Sequence, residues 1–305
     1  MPFLYVDDER WTSKAREAVG WVTLHKEHRI YDQTGVDIDF KLPYFDDKAW
    51  HRVAKCFDLA LQLANLSGKE TVLDLGAGRG WAAKHFALKG CRVAAIDVVS
   101  DDQIGLGRSW ALMKEAGTCF DPVIGDSENL PFFPGTFDLV FCAGVLHHTS
   151  DLPRVFASVH KVLKPGGRLL AVNEPCISIY ENAGEMLRRD SAAELAHGIN
   201  ESRPNYVDYW SAAAGAGFRD VHIASLDTYE MTDAQIEAWA EALRVIPPRS
   251  GPLRQRLNEA WELWKKRRRS AAWRRRLPRP RSKRESRIRE VFLNVGTDVV
   301  LVARR

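Results

Sequence analysis

Between Thr71 and Val172 short apolar runs alternate with stretches of helical periodicity, and this alternation leaves few folds open. Thr71–Leu75, Cys91–Asp97, Pro122–Gly125, Phe137–Cys142 and Arg168–Val172 read as strands. Trp81–Leu88, Leu106–Ala116 and Leu152–Leu163 read as the helices between them, closed by Gly90, Gly117 and the run Pro165-Gly166-Gly167. A strand that is apolar on both faces needs cover on both faces. A strand–helix–strand order supplies that cover through a parallel sheet. Outside this region, Asp47–Leu66 places Trp50, Val53, Phe57 and Leu61 at helical spacing. Tyr206–Ala214 and Thr232–Val245 read as helices, and Phe218–Leu226 and Asp298–Ala303 as two further strands.

Composition supports a sizeable core. Of 305 residues, 45% are hydrophobic and 28% charged, near the averages for a globular protein, which excludes wholesale disorder. No run approaches the roughly 18–20 apolar residues that a membrane helix needs, and the opening MPFLYVDDER does not read as a secretory signal. The five cysteines (Cys56, Cys91, Cys119, Cys142, Cys176) form no C-x-x-C pair, so the expected setting is a reducing cytoplasm. No metal site is expected. The cysteines are scattered among apolar neighbours, and the adjacent His147 and His148 would diverge on a helix.

The sharpest local feature is the run Val72-Leu73-Asp74-Leu75-Gly76-Ala77-Gly78-Arg79-Gly80-Trp81, a strand that enters a glycine-rich turn and leaves as a helix. Glycines permit positive φ and close approach of a ligand, and the helix start offers unpaired N–H groups. The spacing is G-x-G-x-G, not the G-x-G-x-x-G of a dinucleotide site. Asp74 on the strand suits an ammonium group and would repel a pyrophosphate. Asp97 ends the next strand, where a carboxylate can accept both hydroxyls of a ribose. A tight strand–helix turn without a ligand is the plain alternative.

The turn has company, in order: Gly125-Asp126-Ser127-Glu128-Asn129-Leu130-Pro131-Phe132, Phe137-Asp138-Leu139-Val140, Leu146-His147-His148, and Val162-Leu163-Lys164-Pro165-Gly166-Gly167-Arg168. Asp126 can accept a hydrogen bond from an exocyclic amine. Together these segments resemble the class I S-adenosylmethionine-dependent methyltransferases, in the branch with the UbiE-like methyltransferase domain. The resemblance is strong over 71–175.

It implies an α/β, Rossmann-like, seven-stranded sheet with helices on both faces and an antiparallel last strand at Asp298–Ala303. The expected layout is a helical N-terminal extension or lid (1–69), a methyltransferase domain (70–230 with 291–305) and a strongly basic helical insertion (231–290). The resemblance places Gly76, Ala77, Gly78 and Gly80 against the methionine part of the cofactor, with Asp74 near its amino group. It places Asp97 and Val98 at the ribose, Asp126 and Ser127 at the adenine, and Cys142 and Ala143 beneath the cofactor. The cofactor would be S-adenosylmethionine and its product S-adenosylhomocysteine.

A sulfonium methyl is already electrophilic, so the protein mainly aligns the acceptor. A base helps where the nucleophile carries a proton of high pKa. His147 and His148 are the candidate bases, against a role in shaping the cofactor site. Glu174, ending the fifth strand, is expected to point into the acceptor space. Tyr180, His197 and Tyr206 rank below them. His25 and His28 read either as part of a lid or, preferably, as an exposed polar face.

The expected acceptor is a small molecule, a glycan or a lipid-linked compound. The alternatives are an RNA or protein methyltransferase guided by the insertion, and a catalytically silent cofactor-binding adaptor. From Leu253 to Glu290, 16 Lys/Arg stand against 4 Asp/Glu, a local charge of +12 in a chain of net charge +4. Trp261, Trp264 and Trp273 interleave with these charges. Three roles are open to this stretch: a helix packed on the domain, contact with an anionic membrane surface from the cytoplasmic side, or binding of nucleic acid.

Overall fold

The computed structural model describes residues 9–27, 36–243 and 275–305, together with Trp261, Trp264, Arg268, Ala271 and Ala272. Strands β1 (Thr71–Leu75), β2 (Arg92–Asp97), β3 (Asp121–Ile124), β4 (Phe137–Ala143), β5 (Leu163–Cys176), β6 (Arg219–Ala224) and β7 (Thr297–Arg304) form one seven-stranded sheet. Their order is β3-β2-β1-β4-β5-β7-β6. β1 pairs in parallel with β2 and with β4, so the winding reverses between them and opens a crevice at their carboxyl ends. β7 runs antiparallel to both of its neighbours, β5 and β6.

Helices carry the crossovers and the edges. They are α1 (Glu9–Glu27), α2 (Val36–Lys41), α3 (Lys48–Ala64), α4 (Trp81–Leu88), α5 (Ser109–Ala116), α6 (Leu152–Val162), α7 (Ala183–Asp190), α8 (Ala192–Ala196), α9 (Tyr206–Gly215), α10 (Leu226–Glu230), α11 (Asp233–Ala242) and α12 (Lys283–Asn294). The period-2 alternation of the strands divides the core into two layers. Leu73, Leu75, Val140 and Leu169 pack on one face with Phe156 of α6 and Phe292 of α12. Val72, Leu139, Phe141 and Leu170 pack on the other with Phe57 of α3 and Phe86 of α4. Phe57, Phe86 and Phe141 meet edge to face at centroid distances of 5.2 to 5.7 Å. Each such burial stabilises the fold by about 1.5–3 kcal/mol.

β5 is longer than the expected Arg168–Val172. It begins at Leu163 and includes Pro165-Gly166-Gly167, because pairing with β4 starts at Leu163 and pairing with β7 continues to Cys176. Its register with β7 shifts between Ala171 and Glu174, and Asn173 there has a φ of 57°. One inserted residue of this kind bends a strand and re-aims its side chains.

α12 runs through residue 290, where the sequence reading placed a boundary, and buries Ile288, Val291, Phe292 and Leu293. Its cations are spent on structure. Arg284 pairs with Asp233, Arg287 with Glu237 and Glu290, and Arg289 with Glu285. Arg281, just before it, pairs with Asp220. Most of residues 253–274, where the anionic-partner surface was expected, lies outside the described residues. Among the described residues no helix is long and apolar enough to cross a membrane.

Candidate active site

A cavity of about 270 Å³ opens at the carboxyl ends of β1, β2 and β4, close to the size of small-molecule sites. The glycine turn forms its floor. At Gly76 (φ 65°) an added methyl would stand 2.5 Å from the Val145 side chain, so only glycine fits under that wall. At Gly78 (φ 52°) an added methyl meets nothing within 4 Å, because the position faces the open cavity. Asp97 lines the cavity and braces this floor. Its carboxylate accepts the Gly78 N–H at 2.8 Å and the Val99 N–H at 2.8 Å. Burial raises its pKa, against those two bonds. Val98 and Ser127 also line the cavity, with Ile104 as an apolar wall.

Other residues expected to touch a cofactor are not among those that line this cavity. Asp74 shares the β1 face of Val72 and points at α4, where it accepts the Ala83 N–H at 2.8 Å. It caps a helix whose own N-cap, Gly80, has no side chain, and burial drives its pKa up to about 8. Gly80 backs onto the Phe120 ring, and Ala77 is buried in the α4 layer. Cys142 is 0% exposed in the opposite layer, with its thiol pushed up by burial. Asp126 caps the following turn by accepting the Glu128 N–H at 3.0 Å. Ala143 lies on the wall of a second cavity.

The wall that sequence reading underrated is α1. Lys14, Glu17, Trp21 and His25 line the first cavity, so His25 is no part of an exposed face; His28 lies outside the described residues. Lys14 is buried between Glu17 (3.0 Å) and Glu128 (3.6 Å). Glu17 accepts from the Asn200 amide at 3.1 Å, and Glu27 meets His197 at 2.9 Å. A methyl added at Gly20 would overlap the His197 carbonyl oxygen. Gly20→Ala is therefore expected to lift α1 and weaken S-adenosylhomocysteine binding by about tenfold, equivalent to about 1.4 kcal/mol, with the thermal midpoint nearly unchanged. Calorimetry giving wild-type affinity would show that α1 is not part of the binding wall.

The second cavity, about 500 Å³, adjoins the first through Gly144 and His148, which line both. Trp50, Trp81, Ala143, His147, Asn173 and Arg203 are among its walls. Glu174 does not face this space as expected. It is 0% exposed and sits under the turn Leu146–His148, re-aimed by the β5 bulge. There it accepts the N–H groups of Val145 (2.7 Å), Leu146 (3.0 Å) and His147 (3.3 Å), and the His147 Nδ1–H at 2.9 Å. Burial alone would raise its pKa; His147 and the N–H groups outweigh it and hold the pKa below the usual range. An ionised carboxylate only accepts, so His147 donates to it from Nδ1, and Nε2 is the ring nitrogen left without a bond to Glu174.

His148 turns its Nδ1 to the Asn200 carbonyl (3.0 Å) and to Glu201 (3.1 Å), and Trp21 of α1 stands edge-on to its ring at 5.2 Å. Burial lowers its pKa, but Glu201 and Asn200 more than reverse this. The pair therefore adds stability that is present below histidine's ordinary value of about 6.5 and is lost as pH rises through the raised value. The two rings do not diverge as helical residues would. On the tight turn their centroids lie 3.9 Å apart, and with Glu201 they bring three metal-ligand atoms within 4.8 Å. Tyr206 is buried in the core, away from the site.

Comparison with known proteins identifies the family. A family model described as a methyltransferase domain matches residues 73–171. A ubiquinone biosynthesis O-methyltransferase of Pseudomonas paraeruginosa is 30% identical over 163 residues, which is 52% of this chain and 68% of that protein. The chain belongs to the class I S-adenosylmethionine-dependent methyltransferases. A malonyl-[acyl-carrier protein] O-methyltransferase of Erwinia billingiae is 29% identical over 145 residues, a match that covers 44% of this chain and spans 55% of that relative's length. Phosphoethanolamine N-methyltransferase 2 of Haemonchus contortus, solved in complex with S-adenosyl-L-methionine, has the same fold. Its TM-score is 0.53 at 16% identity, covering 91% of this chain and 59% of that one. The cofactor of the family, S-adenosylmethionine, suits the first cavity chemically. The open space above Gly78 admits a ligand against backbone, the Asp97 carboxylate matches hydroxyl groups, and the Val98–Ile104 wall matches an apolar ring face.

Proposed function

We propose that this methyltransferase binds S-adenosylmethionine in the first cavity, beneath α1 as a lid, and methylates a hydroxyl of a small molecule in the second. The observation that carries the reading is the Glu174–His147 pair, 2.9 Å apart, with His147 on the wall of the second cavity between Gly144 and His148, which line both. Bound S-adenosylmethionine supplies an electrophilic methyl carbon and a sulfur leaving group. The acceptor oxygen forms the new bond to that carbon, the carbon–sulfur pair departs with sulfur, and the hydroxyl proton passes to His147 Nε2. Glu174 holds Nδ1 protonated throughout, and stabilises the imidazolium that results. An acceptor with no proton to lose would have no use for this buried pair.

The test is transfer from radiolabelled S-adenosylmethionine into a lysate fractionated into small-molecule, solvent-extractable, protein and nucleic-acid pools. Label is expected among the small or extractable compounds. With His147→Ala the initial rate should fall by about 10²–10⁴ while S-adenosylhomocysteine binding persists. Label in the protease- or nuclease-sensitive pool, or full activity of the variant, would overturn the reading.

A further inference from the structure

We propose that His147, His148 and Glu201 form a zinc site on the wall of the second cavity, and that an ion held there stops methyl transfer by occupying the ring nitrogen that takes the acceptor's proton. The site stands on its own geometry; the inhibition rests on the O-methylation reading above.

One ring nitrogen of each histidine and one carboxylate oxygen of Glu201 lie within 4.8 Å of one another, and all three residues line the second cavity. They come from two places in the chain. The tight turn Leu146–His148 sets the two rings side by side, and the segment between α8 and α9 brings Glu201 up to them. Zinc holds nitrogen and oxygen ligands at about 2.0–2.2 Å, so ligands of one ion stand about 3–3.5 Å apart. The trio is wider than a filled site by at most about 1–2 Å, the scale of a side-chain rotation. Two imidazoles with one carboxylate select zinc over magnesium or calcium, which take oxygen ligands. Three protein ligands leave a fourth position for water on the side of the cavity.

The partners behind the ligands carry the inference. A metal-ligating histidine gives its other ring N–H to a carboxylate or a backbone carbonyl, which fixes the ring and its tautomer. Both histidines have such a partner: His147 Nδ1 meets Glu174 at 2.9 Å, and His148 Nδ1 meets the Asn200 carbonyl at 3.0 Å. That leaves Nε2 of each ring for an ion. Glu201 keeps Oε2 on Arg203 at 2.7 Å, so Oε1, 3.1 Å from His148 Nδ1, is the oxygen that turns to the metal. Arg203 offsets part of the Glu201 charge, so the ion is held less firmly than by a purely anionic set and exchanges with solution. An ion on His147 Nε2 takes the lone pair that the acceptor's hydroxyl proton needs, and transfer stops until the ion leaves.

The test is calorimetry of the metal-stripped full-length protein with Zn²⁺ and with Mg²⁺. It is followed by the rate of label transfer from radiolabelled S-adenosylmethionine into a chelator-treated, solvent-extractable fraction, with and without zinc. One equivalent of Zn²⁺ is expected to bind, and Mg²⁺ not. Glu174→Gln should weaken zinc binding by about 10–100-fold, the effect of removing a carboxylate behind a ligand, and Glu201→Gln by at least about as much. Thermal melts establish that both variants fold. In the wild type zinc should stop transfer and EDTA should restore it, whereas in Glu201→Gln the rates with and without zinc should coincide. No zinc binding, or binding that both variants retain, would overturn the site. A rate that zinc raises, or that EDTA fails to restore, would overturn the inhibition. Zinc bound at the trio with transfer unaffected would overturn the inhibition together with the base role of His147, and leave the site standing. Absence of label from the extractable fraction in the zinc-free protein would remove the O-methylation reading and the inhibition with it, while the calorimetry still decides the site.

Discussion

Replacing Asp97 with alanine is expected to raise the dissociation constant for S-adenosylhomocysteine at least about 100-fold, the effect of losing a pair of hydrogen bonds to a charged group at about 1.5–3 kcal/mol each. The carboxylate does two jobs at once. It fixes the glycine turn and the end of β2 by accepting from Gly78 and Val99, and its remaining lone pairs face the cavity. Alanine removes the ligand contact and also frees the turn, so the loss exceeds that of a contact residue alone. The sheet should survive, because the hydrophobic layers above and below do not pass through this side chain. Burial raises the Asp97 pKa. A protonated carboxyl has fewer lone pairs to offer, so affinity should fall as pH drops through that raised value. Calorimetry of the variant at neutral pH and of the wild type across a pH series checks both statements. Unchanged affinity in Asp97→Ala would remove Asp97 from the site.

The frame of the site was legible because it follows from local chemistry: apolar runs of strand length, glycines where a turn must approach a ligand, and a carboxylate at a strand end. The facing of individual residues was less so. Asp74 and Cys142 lie in segments that border the cavity, yet each shares a strand face with buried neighbours, Val72 and Val140 respectively. The period of two assigns them to the core layers, and family analogy placed them at the ligand instead. Glu174 and Asn173 were harder. Strict alternation along β5 cannot reveal an inserted residue, and the slip opposite β7 decides which of the two is buried. α1 was hardest, because its contacts are polar and long-range. Nothing in the local spacing of Lys14 announces Glu128, nor that of Gly20 the carbonyl of His197.

The conversion of Glu174 to glutamine separates orientation from mere presence of a base. Glutamine keeps the shape and one acceptor oxygen for the N–H groups of Val145 and Leu146. Its amide nitrogen, however, cannot accept the His147 Nδ1 proton. If that nitrogen faces the ring, the imidazole must place its lone pair on Nδ1 and its proton on Nε2, which disables the base. A fall in kcat of about 10²-fold or more, with KM little changed, is therefore expected at neutral pH, within the range that general-base catalysis supplies. Stability carries an independent signature. The folded pKa of Glu174 lies below its ordinary value, so the ionised pair adds stability that is fully present above the usual carboxylate range and is lost as pH falls through the lowered value. Glutamine has no such titration. The variant should be less stable than the wild type by about 1–3 kcal/mol near pH 7, as a weakened buried hydrogen-bond set implies, and the gap should close as the solution is acidified. Denaturant melts at several pH values read this directly. A variant with wild-type kcat and a pH-independent stability gap would mean that Glu174 only props the turn, and that the proton leaves the acceptor by another route.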